Sequence, residues 1–301
     1  MEVKYLTGAV ACDMLRKKKR GGFVKNLVDM HVHSQNSHDA HVPVLDMARS
    51  SVNAGIRMLA IADHWDGLLC PDGKDQDLFS HIQHCYVEVK AAQAALGHDC
   101  ELLVSIELGE PHWDYEMSAK ALKLVPYDAV IGSVHAVRCP EAEGKIGLDR
   151  AYSRMDFANI SEENLDRFFR LYFDETLSMV KTVDIDILAH LGSPKILVLR
   201  KQGRELDLHR YSEQIDEILN VLIEKGIALE FNSAELDTDG LFAPDPWVVK
   251  RYLELGGKKI TLASDAHFLH ETGRGMEKAV SVLREFGVQE LCFLKNREFN
   301  T

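Results

Sequence analysis

Short apolar runs that alternate with longer amphipathic stretches constrain the fold of this 301-residue chain more than any other feature. Each run has the length and the aliphatic or β-branched content of a buried strand, while the stretches between them carry the spacing of helices. Repeated alternation of strand and helix predicts a parallel sheet covered by helices. The predicted strands are 26–33, 57–65, 101–109, 127–137, 183–192, 226–233 and 258–267.

The helical stretches begin and end at residues suited to those positions. Ser161 precedes the acidic pair Glu162 and Glu163, which favours a helix N-terminus. Gly226 and Gly287 lie where helices should end, because Gly tolerates the left-handed cap conformation. The predicted helices include 43–56, 81–96, 161–182, 211–226 and 277–287.

The number of strand–helix units predicts how the sheet closes. Seven units favour an α/β fold that closes as a distorted seven-stranded (β/α)7 barrel resembling a TIM barrel, and a doubly wound sheet is the alternative. No linker interrupts the pattern. We therefore expect one barrel domain over residues 26–301, preceded by an N-terminal extension over residues 1–25.

Composition and charge narrow the class of protein. A net charge of −12 argues against a large nucleic-acid surface, so we expect no nucleic-acid partner. The basic run at 16–20 is interpreted as a solvated helix end rather than a nuclear or nucleic-acid tag. No membrane span is predicted, and the six Cys form no CxxC pair. We therefore expect reduced thiols and a cytoplasmic protein.

Nearly every predicted strand ends in a residue that can bind a metal. The C-terminal strand ends of a parallel barrel share one face, so residues far apart in sequence meet there. His31 and His33 are two positions apart on a strand, which points both imidazoles the same way. The other strand-end ligands are Asp63, His64, Glu107, His135, His190, Asp265 and His267.

This set of side chains favours a multinuclear metal site. Imidazole with carboxylate suits Zn, Mn or Fe, and the ligands are too many for one ion. We therefore expect two or three ions, with Glu107 bridging a pair and a hydroxide between metals acting as the nucleophile. Taken singly, each His has an ordinary structural explanation, and each Asp can cap a helix. Taken together without a cation, they would leave buried charges unpaired.

Six motifs in order resemble the polymerase and histidinol phosphatase (PHP) family. They are HVHSQNSHDA at 31–40, IADHW at 61–65, IELGE at 106–110, GSVH at 132–135, ILAHLG at 187–192 and SDAH at 264–267. The resemblance covers nearly all of 28–270. It implies a distorted seven-stranded barrel with a trinuclear metal centre.

The resemblance also implies ligand sets. The first metal would be held by His31, His33, Glu107 and Asp265, the second by Glu107, His135 and His190, and the third by His38, His64 and His267. The loop after HxH departs from the family's common SxxSDG. His38, Asp39 and His41 therefore compete for the third metal, and alignment to the motif selects His38.

Within the family, the chain is most similar to stand-alone histidinol-phosphate phosphatases. This implies hydrolysis of L-histidinol phosphate in histidine biosynthesis, with a small phosphorylated molecule as substrate. Asp265 or His267 would pass a proton to the leaving alkoxide. Segment 138–160 is interpreted as an insertion that covers the substrate. Candidates for contact with the substrate, chosen by position after strand ends, are Arg138, Lys195, Arg200, Glu110 and His112.

Three other functions stay open at this point. One is a phosphoesterase of the same family that acts on another small phosphate or on nucleotide ends. The second is a metal-dependent amidohydrolase, which also opens with HxH but typically needs a Lys at a central strand end. The third is a non-catalytic metal-binding module, which would show the loss of one or more ligands.

Overall fold

The computed structural model describes residues 27–66, 78–138, 152–237 and 240–301. Strands and helices alternate along most of this length. The strands are β1 Leu27–Val32, β2 Ile56–Ile61, β3 His64–Trp65, β4 Glu101–Gly109, β5 Ala129–Ser133, β6 Ile187–Leu188, β7 Ala228–Asn232, β8 Ile260–Ala263, β9 Phe293–Lys295 and β10 Glu298–Asn300. The α-helices are α1 Val44–Asn53, α2 Leu78–Leu96, α3 Tyr115–Ala121, α4 Glu162–Thr182, α5 Pro194–Gln202, α6 Ser212–Lys225, α7 Pro246–Glu254 and α8 Met276–Glu285.

Parallel pairing joins the strands in the order β1-β2-β4-β5-β6-β7-β8, and the short β3 also pairs with β4. The ends of this sheet approach each other beyond β1 and β8. His33 N donates to Ala266 O at 2.9 Å, and Asp265 N donates to His31 O at 2.9 Å. The sheet is therefore a nearly closed barrel of seven principal strands, which confirms the predicted fold class.

The helices lie outside the barrel and bury one apolar side. Helix α4 contributes Phe168, Phe169 and Phe173 to the main core. Its N-terminus is the predicted one, because Ser161 Oγ accepts a hydrogen bond from Asn164 N at 3.2 Å. Gly226 caps α6 with φ 71°, the left-handed conformation expected of a helix-ending glycine.

A second, smaller core fills the inside of the barrel. It is built from strand residues, several of them alanines such as Ala60, Ala129 and Ala228. Leu294, on the antiparallel hairpin of β9 and β10, is fully buried against it. Arg297 in the turn binds Asp186 and Asp184, just before β6. The hairpin therefore covers the N-terminal end of the barrel, a feature that the sequence analysis did not predict.

Some predictions fall wholly or partly outside the described residues. The extension over residues 1–25 lies outside them, as does most of the segment 138–160. Cys85, Cys100 and Cys292 are buried free thiols, whereas the other three Cys are outside the described ranges. In the part of the chain that the structure covers, no helix is both long and apolar enough to cross a membrane.

Candidate metal centre

A pocket of about 270 Å³ opens at the C-terminal ends of the barrel strands. Its walls include residues that follow β1, β2, β5, β6 and β8, which are distant in sequence. Parallel pairing brings these strand ends to one face. The lining includes His38, Asp39, His64, Glu107, His135, His190, Asp265 and His267.

The alternation of β1 directs His31 and His33 to the same side. Their Nε2 atoms lie 3.1 Å apart. His31 Nδ1 lies 2.8 Å from Glu230 Oε2, and His33 Nδ1 lies 3.0 Å from Ser37 Oγ. Both rings are therefore held from behind, with Nε2 directed into the cluster.

Glu107, at the end of β4, lies at the centre of the cluster and is fully buried. Its Oε1 lies 3.2 Å from His135 Nε2 and 3.1 Å from His190 Nε2. Its Oε2 lies 3.2 Å from His31 Nε2 and 2.8 Å from His64 Nδ1. Each carboxylate oxygen thus contacts its own pair of imidazoles, as a carboxylate that bridges two metal ions would.

The charge of these neighbours changes the acidity of Glu107. Burial alone would raise the pKa of its carboxyl group, but His31, His64 and His135 hold the pKa well below its usual range. The side chain is therefore ionised at neutral pH, and it offers both oxygens as ligands.

A third group of ligands surrounds Asp39. Asp39 Oδ2 lies 3.5 Å from His64 Nε2 and 3.4 Å from His267 Nε2. His38 is as exposed as Asp39, but its Nδ1 lies 4.0 Å from Asp66 Oδ2 and its Nε2 3.9 Å from Asp39 Oδ2. His41 is exposed and does not line the pocket. The geometry favours Asp39 over His38 as the partner of His64 and His267.

Backbone strain marks three residues at this face. Glu110, His190 and Asp265 have φ values of 45°, 24° and 53°, in the left-handed region that non-glycine residues rarely adopt. Asp265 is also fixed by Asn232, whose Nδ2 donates to Asp265 Oδ2 at 3.0 Å. Strain of this kind persists where surrounding contacts dictate a side chain's direction.

Hydrogen bonding directs the Nε2 atoms of His31 and His33 into the cluster. Glu230 accepts at His31 Nδ1, so a neutral His31 would carry its hydrogen there and a lone pair on Nε2. Ser37 Oγ donates to Asp63 at 2.8 Å, so it accepts from His33 Nδ1, and His33 Nε2 also carries a lone pair. With both imidazoles neutral, their Nε2 lone pairs would meet at 3.1 Å, so a positive charge is needed between them. Burial alone would lower the pKa of His31, but Glu230, Glu107 and Asp265 raise this pKa well above its usual value, so a second proton supplies that charge when no metal ion does.

Carboxylate oxygens add to this crowding of acceptors. Asp265 Oδ1 lies 3.1 Å from His33 Nε2, and the contacts of the buried Glu107 Oε2 with His31 and His64 lack the angles of hydrogen bonds. Three sets of ligands are close enough to share an ion: His31 with His33 and Asp265, His33 with His64 and His267, and His64 with Glu107 and His135. The residues present fit divalent metals with nitrogen and oxygen ligands.

The five residues predicted to contact the substrate lie in different places. Arg200 lines the pocket and pairs with Glu235. Lys195 pairs with Asp245, and the Arg138 guanidinium stacks on Trp113, 4.1 Å from the ring centroid. Neither belongs to the pocket lining.

Glu110 and His112 are turned to structural neighbours. Glu110 Oε1 accepts hydrogen bonds from the backbone N–H groups of His135 and Ala136. His112 Nε2 contacts Glu175 Oε2 at 2.5 Å. Both side chains are buried outside the pocket lining, so their predicted contact with substrate stays a prediction.

Sequence reasoning missed several residues of the site. Glu230, in the middle of β7, supports His31, while Asp66, Tyr152 and Ser193 line the pocket. Alternation along β7 was the available signal for Glu230, because a charged residue on an interior face needs a partner. No local pattern distinguishes Tyr152 or Ser193 from ordinary loop residues.

The fold and the pocket define an α/β-barrel protein with a cluster of imidazoles and carboxylates at its strand ends. A family model described as PHP domain matches residues 29–234, and the chain belongs to this family. This match confirms the resemblance inferred from the motifs.

Individual relatives agree with this assignment. The chain is 27% identical over 269 residues to a protein of Thermotoga maritima named "Probable histidinol-phosphatase", covering 88% of this chain and 95% of the relative. It is 24% identical over 278 residues to the histidinol-phosphatase of Lactococcus lactis, covering 88% and 93%. A crystal structure of histidinol phosphate phosphatase from Lactococcus lactis, complexed with Zn, L-histidinol and phosphate, has a TM-score of 0.72 at 21% identity and covers 91% of this chain and 98% of that one.

Proposed function

We propose that this protein is a metal-dependent phosphomonoesterase that hydrolyses L-histidinol phosphate to L-histidinol and phosphate. One observation carries the metal-dependent part: the Nε2 atoms of His31 and His33 converge with the carboxylate of Asp265, close enough for the three side chains to share an ion. The substrate follows from the relatives named as histidinol-phosphatases and from the fold shared with the Lactococcus lactis structure. A small phosphorylated substrate and a cytoplasmic location belong to the same proposal.

We assign the ligands of two or three divalent ions of zinc, manganese or iron. His31, His33, Glu107 and Asp265 would hold the first ion, and Glu107, His135 and His190 the second. His64 and His267 would hold the third together with Asp39, which replaces His38 because its carboxylate lies between the two imidazoles. Such ions supply Lewis acidity toward phosphoryl oxygens and lower the pKa of the attacking water.

The chain's own residues hold these groups in position. Glu230 selects the tautomer of His31, and Asn232 fixes Asp265 while also donating to Glu230 at 3.1 Å. Asp265 and His267 both line the pocket. We retain both as candidates for passing a proton from the attacking water to the leaving alkoxide.

The remaining alternatives receive less support. A family member acting on another phosphate would use the same cluster, so only a substrate test separates it. The amidohydrolase alternative calls for a Lys at a central strand end, and the described lining of the pocket contains none. A non-catalytic module would have lost ligands, whereas every predicted strand-end imidazole is present.

The proposal is tested by a screen of small phosphomonoesters with added Mn or Zn, including histidinol phosphate and a nucleotide panel. We expect turnover of histidinol phosphate well above the other compounds, and more than one equivalent of metal by elemental analysis. A folded protein that binds no metal would refute the metal site, and preference for a nucleotide would refute the substrate.

The central carboxylate provides a sharper test. Glu107→Ala should reduce turnover by at least about a hundredfold and lower the amount of bound metal, because the imidazoles on both sides lose the carboxylate that they share. Glu217→Ala is the matched control, since Glu217 is an exposed residue of α6 that pairs with Lys181. Retained turnover in Glu107→Ala would contradict the bridging role.

A further inference from the structure

One side of the pocket is formed by α5 and by the residues around Tyr152. Ser193, Ile196, Leu197 and Arg200 line it at the spacing of one helix side. Tyr152 joins them from the single turn Tyr152–Arg154. The same pocket is lined by the ligand cluster, so this side borders the space that a substrate would occupy.

Hydrogen-bond donors for a phosphoryl group are few on this side. Arg200 and Lys195 are paired with carboxylates, as described above. The amide of Asn232 already donates to Glu230 and Asp265. In the described lining, the side-chain hydroxyls of Tyr152, Ser153 and Ser193 are therefore the neutral donors to consider.

Tyr152 and Ser193 form a hydrogen-bonded pair of hydroxyls beside the buried Tyr172. Tyr152 Oη lies 2.8 Å from Ser193 Oγ, and either hydroxyl can be the donor. The hydroxyl oxygen of Tyr172 accepts from the N–H of Gly192, the residue before Ser193, at 3.0 Å.

The direction of this hydrogen bond determines which hydrogen remains unused. When Ser193 Oγ donates to Tyr152 Oη, the Tyr152 hydrogen is not used within the pair and can point to a bound ligand. The bond from Ser193 also polarises the Tyr152 hydroxyl, which strengthens it as a donor.

The backbone fixes Tyr152 beside the ligand cluster. Tyr152 N donates to His135 O at 2.7 Å, and the two rings meet edge to face with centroids 6.3 Å apart. The phenol is therefore positioned relative to His135, which in turn contacts Glu107 at 3.2 Å. A phosphate held at the cluster would lie within reach of this hydroxyl.

We propose that Tyr152, supported by Ser193, donates a hydrogen bond to a non-bridging oxygen of the substrate's phosphoryl group. This assignment rests on the proposed phosphatase function. Tyr152 acts as a neutral donor throughout and transfers no proton. It restrains the phosphoryl group from the side of the pocket next to His135.

The test compares Tyr152→Phe with the unmodified full-length protein, both loaded with Mn or Zn. A hydrogen bond to a charged group predicts a fall of about ten- to a hundredfold in kcat/KM for the phosphomonoester that the protein turns over best. Binding of inorganic phosphate, measured by calorimetry, should weaken by a similar factor. Ser193→Ala should lose less, because Tyr152 keeps its own hydrogen.

Controls separate this role from a structural one. Metal content and Tm of Tyr152→Phe should match those of the unmodified protein, because no ligand is removed. Tyr211→Phe is the matched control, since Tyr211 lies outside the pocket lining and donates to Asp166 at 3.1 Å. Phosphate binding by this variant should not change.

Each contrary outcome has a distinct meaning. Unchanged phosphate binding and kcat/KM in Tyr152→Phe would overturn the inference, and so would a loss of metal, which would make Tyr152 a support for His135 instead. Failure of the unmodified protein to hydrolyse any phosphomonoester would refute the proposed function. The calorimetric comparison with inorganic phosphate would still decide whether Tyr152 binds a phosphoryl oxygen.

Discussion

Hydrogen-bond partners behind each imidazole decide which nitrogen faces the pocket. Glu230 binds Nδ1 of His31, and Ser37 binds Nδ1 of His33, so both Nε2 atoms turn inward. Asp63 in turn fixes the loop that carries Ser37, accepting from Ser34 N at 2.5 Å and from Ser37 Oγ at 2.8 Å. Asp63 therefore supports the site from outside, although its position next to His64 suggested a ligand. Supporting contacts of this kind commonly change metal affinity ten- to a hundredfold.

The choice between Asp39 and His38 leads to a prediction for single residues. Asp39→Ala should lose one bound ion, because Asp39 Oδ2 is the carboxylate oxygen between His64 and His267. His38→Ala should keep all ions, since its ring nitrogens approach Asp39 and Asp66 rather than lying between His64 and His267. Elemental analysis after gel filtration measures both variants. The reverse pattern, with the ion lost from His38→Ala alone, would restore His38 as the ligand.

At the scale of elements, the hairpin of β9 and β10 explains how a barrel with small residues inside stays closed at the N-terminal end of its strands. Leu294 is fully buried against the inner core, while Phe293 and Phe299 pack beside it. Arg297 N donates to Asp128 O at 2.8 Å, and its guanidinium bonds Asp186. The hairpin thereby joins the starts of β5 and β6, at the opposite end from the pocket.

Shortening the buried side chain of Leu294 in the hairpin should destabilise the fold without altering the site. Leu294→Ala should lower the free energy of unfolding by about 2–5 kcal/mol, through lost burial and the cavity left behind. Urea unfolding measures this change. Val87→Ala on α2 is the control, because Val87 is 61% exposed and should change stability by less than about 0.5 kcal/mol. Equal stability of the two variants would show that the hairpin does not seal the core.

At the scale of the whole molecule, the ligand cluster connects nearly every strand of the barrel. His31 comes from β1, Glu107 from β4, and Asp265 follows β8, so one cluster joins the two edges where the sheet closes. Ions bound there would stabilise only the folded chain, since the unfolded chain does not bring these residues together.

Metal removal should therefore lower the stability of the entire domain. With free metal one hundredfold above its Kd, binding adds about 2.7 kcal/mol to the free energy of unfolding, and a chelator should remove this contribution. Thermal unfolding before and after chelation, then after restoring Zn or Mn, measures the effect. Glu107→Ala should respond far less to the chelator. An unchanged Tm of the unmodified protein after complete metal removal would contradict the prediction.

Much of this protein was determined by its sequence alone. Alternating apolar runs specify parallel strands because strand and helix bury side chains with different periods. The positions of His31, His33, Glu107 and Asp265 at strand ends then follow from the rule that these ends share one face. The motifs identified the family, which the match to residues 29–234 confirmed. Helices α3, α5 and α7 were not predicted, being short segments of 7, 9 and 9 residues.

Only the tertiary structure decided which loop residues join the site. Asp39 and His38 are neighbours in sequence, so the sequence does not distinguish them as ligands. Only the packing of their loop against Asp63 places the Asp39 carboxylate between His64 and His267. Tyr152 meets Ser193 across 41 positions, and Glu230 meets His31 across 199. The physical reason is the same in each case: strand alternation directs side chains locally, whereas loop and second-layer contacts depend on how distant segments pack together.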